Sequence, residues 1–258
     1  MKYFILSSGS RGNSTLVCTK GGNFLIDCGI TKKLLVSRLA TCGKGIEDID
    51  YLLVTHSHSD HISGIKFIPE EKWFASINVL KEELPKDHYL VPFRKMIFGE
   101  TVVTTLTLSH DAPSVGFLFE DGDESLVYLT DTGYIPERTL RLIENKTYYI
   151  FESNHDTKML YESSRPPYLI KRIASDKGHL DNVAASYYLS NLIGSNTKEV
   201  NLAHISEECN TEEIALNTFN EVIYTQKGER PSLLLRCASV NYVVSGGKDD
   251  QDQFLSSR

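Results

Sequence analysis

Seven residues, Thr55–His61 (THSHSDH), constrain this chain more than any other feature. They close an apolar run, Tyr51–Thr55 (YLLVT), that reads as a short buried strand. Extended backbone sends side chains to alternate sides, so His56 and His58 leave the chain in the same direction. The chain must then turn, with Gly64 easing entry into a helix, and Asp60 and His61 emerge at another angle. Four titratable groups beside a buried strand would be costly without partners. One loop offering metal-binding side chains in two directions suits two neighbouring metal ions.

Further candidates sit where apolar runs end. His110 follows TLTLS, Asp131 follows LVYLT and His204 follows VNLA. The C-terminal ends of strands are where α/β folds gather functional groups. Asp27, after FLI, has the same placement and reads as a buried carboxylate that orients the loop rather than as a ligand. Imidazole and carboxylate donors without thiolate fit zinc, manganese or iron. The five cysteines are scattered with no CxxC pair, as expected of reduced, buried thiols. Two divalent ions ~3.5–4 Å apart clamp an in-line displacement and generate hydroxide near neutral pH.

Strand patterns at Lys2–Leu6, Ser14–Thr19, Asn23–Asp27, Thr101–Leu108, Val115–Glu120, Ser125–Thr130 and Tyr148–Ser153 alternate with helical ones. Helices are expected over Thr31–Cys42, after Pro136 at the first helical position, from about Asp181, and from Asn210 with Glu213 in capping-box spacing to about Gln226. Strands followed by helices, twice over, predict an α/β fold of two sheets packed face to face with helices outside. Residues 1–245 are expected to form one domain, and the polar stretch from Gly246 (GGKDDQDQFLSSR) a disordered tail. A net charge of −7 argues against nonspecific coating of nucleic acid, although metals and a few Arg or Lys can create a local positive field. No run approaches the ~18–20 apolar residues of a membrane span, and the opening MKYFILSSGSRGNS lacks the apolar length of a signal peptide. The expectation is a cytoplasmic protein with no membrane partner.

THSHSDH resembles the HxHxDH signature of the metallo-β-lactamase superfamily, with Asp27, His110, Asp131 and His204 similar to its other motifs. The resemblance implies an αββα sandwich in which one metal takes His56, His58 and His110, the other takes Asp60, His61 and His204, and Asp131 bridges them. SSGSRGNST at the start, ESNHDTKML (Glu152–Leu160) and RIASDKGHLDN (Arg172–Asn182) followed by LAHIS resemble the YycJ/WalJ-type group of nucleases. That implies a 5′→3′ exonuclease on double-stranded DNA, supported by manganese, with DNA rather than RNA as the partner. GHLDN is also similar to a string in the tRNA 3′-processing endonucleases, where a histidine assists the leaving group.

In this reading Asp60 orients or deprotonates the attacking water, and His179 donates a proton to the departing oxygen. Ser10 and Asn13 in the SGSRGNS loop, Asn154, His155 and Arg172 are the expected substrate contacts, the loop by exposed backbone donors. His88, in KDHY, is expected on the surface. The alternative is a metallo-hydrolase of a small substrate, a cyclic phosphodiester or a glyoxalase-type thioester, which would share the HxHxDH cluster. A flavodiiron role would replace His58 with Glu, and a non-catalytic scaffold would lose ligands; neither change is present.

Overall fold

The computed structural model describes residues 1–248. One sheet contains β1 (Lys2–Ser7), β2 (Ser14–Thr19), β3 (Gly22–Ile26), β4 (Tyr51–Val54), β5 (Trp73–Ala75) and, at its edge, β13 (Val244–Gly247), in the order β13-β1-β2-β3-β4-β5. The other contains β6 (Lys95–Phe98), β7 (Thr101–Thr107), β8 (Val115–Asp121), β9 (Glu124–Leu129), β10 (Tyr148–Glu152), β11 (Glu199–Ala203) and β12 (Leu234–Cys237), in the order β12-β11-β10-β9-β8-β7-β6.

Alternation along each strand assigns the layers. Tyr3 and Ile5 of β1, Phe24 and Ile26 of β3, and Leu53 of β4 join Phe117, Phe119, Tyr148 and Ile150 of the second sheet in a core between the sheets. Their neighbours Leu6, Leu25, Leu52 and Val54 face outward onto α1 (Lys32–Thr41). Tyr149 and Phe151 of β10 face outward onto α6 (Asn182–Leu192) and α7 (Glu212–Lys227). The result is the αββα sandwich expected from the pattern. Phe24 meets Phe119 edge-on at 5.3 Å across the two sheets, a geometry that adds about 0.5–1.5 kcal/mol beyond area burial.

The pairing brings the functional strand ends together. β3 and β4 are parallel, and so are β9, β10, β11 and β12. The C-terminal ends of β3 and β4 therefore meet those of β9, β10 and β11 at one edge of the sandwich.

Three expectations are corrected at element ends. Pro136 is the N-cap of α3 (Glu137–Ile143), one position before the first helical residue. The cap of α7 is Thr211, whose side chain accepts from Ile214 N; Asn210 instead ties down the Ser153 and Asn154 carbonyls. Gly246 and Gly247 belong to β13, paired with Tyr3 and Lys2, so the expected tail begins too early; residues 249–258 lie outside the described residues. Two short helices, α4 (Thr157–Glu162) and α5 (Pro167–Ile173), form a hairpin that periodicity did not predict, packed through Leu160 and Ile173. His88 is half-buried, stacked on Phe74 at 4.0 Å. No described helix is long and apolar enough to cross a membrane.

Candidate metal centre

β4 ends at Val54, and the chain bends at Ser57 before reaching His58, the N-cap of the single-turn helix α2 (Ser59–Ile62). His56 and His58 nonetheless come together, on either side of that bend, and meet His110. His56 Nε2 lies 3.0 Å from His58 Nδ1, which lies 3.3 Å from His110 Nε2. The turn into α2 carries Asp60 and His61 to a second cluster with His204. Asp131 stands between the clusters: its carboxylate is 3.2 Å from His61 Nε2, 4.0 Å from His110 Nε2 and 3.6 Å from His204 Nδ1. All seven side chains singled out in the sequence thus converge on one edge.

Backbone strain helps to aim them. Asp27, Asp131 and His204, each just past a strand end, have φ of 57°, 62° and 57°. A non-glycine residue in this left-handed region costs on the order of 1–3 kcal/mol and persists only where its surroundings enforce it.

The donor set fits metal ions. A tetrahedral ion with metal–nitrogen distances of ~2.0–2.1 Å spaces its ligand nitrogens about 3.3 Å apart, close to the spacing in the three-histidine cluster. His204 Nε2 is buried without a hydrogen-bond partner, and Asp131 Oδ2 has only the His61 ring beside it, at 3.2 Å, a costly state that a cation would relieve. Burial, aided by the neighbouring His61, pushes His56 down to about 2, so its ring is neutral and able to bind. Burial also works against charge on His61 and His204, but nearby carboxylates prevail. Asp131 and Asp27 push His61 up to about 10, and Asp131, Asp60 and Glu152 hold His204 well above the usual imidazole range. Against the upward effect of burial, His204 and His61 hold Asp131 well below the usual carboxylate range. The edge attracts positive charge, for which protons and metal ions compete.

A second layer fixes the first. Asp27 is fully buried and takes bonds from Thr55 N (2.8 Å), Thr55 Oγ1 (2.7 Å) and His61 Nδ1 (2.7 Å), the orienting role expected of it. Gly29 is needed for close approach: a Cβ there would lie 1.6 Å from the Asp60 carbonyl oxygen. Glu152 has no exposed surface. Its Oε1 accepts from His179 Nδ1 and His204 Nδ1, both at 2.9 Å, and from Asp131 N at 3.1 Å. Its Oε2 accepts from Thr132 N (2.9 Å) and Leu180 N (3.1 Å). Asp111 lies 3.4 Å from His58 Nε2 and bonds Arg172 Nε at 2.5 Å.

Sequence reasoning assigned no role to Glu152 or Asp111. The strand-end rule that selected Asp131 and His204 applies equally to Glu152, the last residue of β10. No comparable signal marked Asp111, which depends on the meeting of two loops.

The expected substrate contacts divide. Ser10, Asn154 and Arg172 line the pocket over the metal cluster, with Asp60, His179 and Arg165. Asn154 also donates to the His204 carbonyl at 2.8 Å. Asn13 is fully buried: its side chain accepts from Gly9 N and reaches Asp60 Oδ2 (3.2 Å) and His61 Nε2 (3.0 Å). The Gly9, Gly12 and Asn13 amides are used within the fold, so the loop braces Asp60 rather than presenting those donors to phosphate. His155 is buried, 3% exposed, and does not line the pocket. Asp181, two residues after His179, caps α6 by accepting from Ala184 N.

Residues 8–143 match the family described as "Metallo-beta-lactamase superfamily". The chain is 36% identical over 228 residues to exodeoxyribonuclease WalJ of Streptococcus pneumoniae serotype 2, covering 83% of this chain and 85% of that protein. It is 32% identical over 235 residues to exodeoxyribonuclease YycJ of Bacillus anthracis, covering 86% and 89%. The fold is similar to that of the metallo-β-lactamase-fold protein YhfI from Bacillus subtilis, with a TM-score of 0.70 at 18% identity over 95% of this chain and 99% of that one. Strand order, ligand clusters and similarity agree: the chain belongs to the metallo-β-lactamase superfamily, within its WalJ/YycJ exodeoxyribonuclease group.

Proposed function

We propose that this chain is a metal-dependent exodeoxyribonuclease that degrades double-stranded DNA in the 5′→3′ direction. The observation that carries the reading is a pair of ligand clusters joined through Asp131, with His179 beside them and Arg165 and Arg172 on the same pocket wall. The similar exodeoxyribonucleases WalJ and YycJ supply the substrate class. The described residues, through β13, act as one catalytic domain in the cytoplasm.

His56, His58 and His110 are proposed to hold one divalent ion, Asp60, His61 and His204 a second, and Asp131 both, the ions being zinc, manganese or iron. When bound, they would supply a hydroxide nucleophile near neutral pH and offset charge on the phosphate. Asp60, 24% exposed at its side chain and open to the pocket, orients the attacking water. Glu152 holds His179 by Nδ1, which leaves Nε2 to pass a proton to the departing oxygen. Asp111 fixes Arg172 through Nε, so the terminal guanidinium nitrogens can meet a non-bridging phosphate oxygen with little loss of side-chain freedom. Ser10 and Asn154 complete the contact surface.

The test is hydrolysis of 5′- and 3′-labelled duplex DNA, single-stranded DNA and RNA with added Mn²⁺, beside Asp60→Ala. Mononucleotides released from 5′ ends of duplex DNA, and lost in the variant, support the reading. Turnover of a cyclic dinucleotide or a glutathione thioester, with no polymer cleaved, refutes it.

A further inference from the structure

Beside the metal cluster lies a second cavity that the proposed chemistry leaves unused. It has a volume of about 930 Å³, near the top of the roughly 300–1,000 Å³ range of small-molecule sites, and its lining is mainly apolar. Ile77, Leu90, Val91 and Pro113 contribute to its walls, and Ile77 and Val91 are 70% and 47% exposed. His110 and Asp111 are part of its lining, and both reach His58, on the wall of the metal pocket. The cavity therefore lies next to the place where a scissile phosphate would sit.

Two hydroxyls give it polar specificity. Ser114 is 6% exposed, and its Oγ, like that of Ser76, is buried with no hydrogen-bond partner, although both residues line the cavity. A buried hydroxyl without a partner is costly, and a ligand with in-plane donors and acceptors on a flat apolar body would satisfy it. The metal pocket presents Arg165 and Arg172, which suit phosphates; this cavity presents mainly apolar walls with two orphaned hydroxyls just beneath them, which suit a base.

We infer that this cavity receives an unstacked nucleobase of a nucleotide flanking the scissile phosphate. The inference rests on the nuclease reading and deepens it. At a duplex end, drawing one base out of the stack and into the cavity separates the cut strand from its complement and holds its phosphate over the metal cluster. Ile77 and Val91 cover the base, and rotation of the Ser114 and Ser76 side chains brings their orphaned hydroxyls to its edge.

The test uses duplexes with 2-aminopurine at the 5′-terminal or the second nucleotide and a fluorescein at the far end. They are mixed with the full chain and Ca²⁺ in place of a metal that supports cleavage. Fluorescein anisotropy reports binding, and 2-aminopurine fluorescence reports unstacking. Binding with a severalfold rise in 2-aminopurine signal at one position is expected. In Ile77→Ser/Val91→Ser, two exposed positions outside the core, the rise is lost and affinity for the duplex end falls on the order of 10-fold, the scale of one base contact. Binding without unstacking, or an undiminished rise in the double variant, overturns the inference and leaves the nuclease reading intact. No binding to any duplex overturns both.

Discussion

Replacing Glu152 with Gln changes almost no volume but turns one acceptor oxygen into a donor at a point where five donors converge. If the new amide nitrogen faces Thr132 N and Leu180 N, two buried backbone amides lose their acceptor. At about 1–3 kcal/mol each, the loss is about 2–6 kcal/mol. If it faces the other way, Asp131 N loses its acceptor, and His179 and His204 must carry their protons on Nε2. For His204 that is the orphaned atom aimed at the metal cluster. Either arrangement costs stability, and the second blocks a ligand. At roughly 2–4 °C per kcal/mol for a chain of this size, thermal denaturation of Glu152→Gln should fall roughly 5–20 °C below wild type. Metal affinity, by titration calorimetry, should weaken by about 10–100-fold. A variant that melts within about 2 °C of wild type and binds metal equally well would refute the role given to this carboxylate.

His179→Ala should lower kcat on DNA by about 10²–10⁴-fold with metal content unchanged, and the deficit should shrink on a p-nitrophenyl phosphodiester, whose leaving group needs no proton. An equal deficit on both substrates would exclude the acid role. Thr55→Val removes the hydroxyl that bonds Asp27 at 2.7 Å and should cost about 1–3 kcal/mol and about 10–100-fold in metal affinity, by thermal melting and metal titration. In the metal-free fold His61 is raised to about 10, so its charge adds stability that is complete below the ordinary imidazole range and lost as pH rises through about 10. Metal binding near pH 7 must therefore expel protons from His61 and His204, so its calorimetric enthalpy should vary with the ionisation enthalpy of the buffer; invariance would contradict this.

Much of the site was legible because the metal cluster draws on a local rule, polar residues at the ends of apolar strands. His56, His58, Asp60 and His61 lie within one loop, and the others follow strands whose alternation of inward and outward residues is plain. The sandwich was legible for the same reason, since Tyr3, Ile5, Phe24 and Ile26 alternate with Phe4, Leu6 and Leu25. What escaped depends on contacts between distant segments. Asn13 belongs by type to a phosphate loop, but the approach of Gly29 to Asp60 buries it against Asp60 and His61. His155 has the look of a site residue and is buried instead. The hairpin of α4 and α5 is too short for helical periodicity to register, yet it carries Arg165 and Arg172 to the pocket. The pairing of β13 with β1 is likewise invisible in a glycine-rich polar string.

The most direct test of the dinuclear centre is the metal content per chain, by native mass spectrometry after reconstitution with Mn²⁺ or Zn²⁺, for wild type and Asp131→Ala. Two ions per chain, with one or both lost in Asp131→Ala, is the predicted result. A wild-type chain that holds a single ion, or an Asp131→Ala chain that keeps two at unchanged affinity, would contradict it.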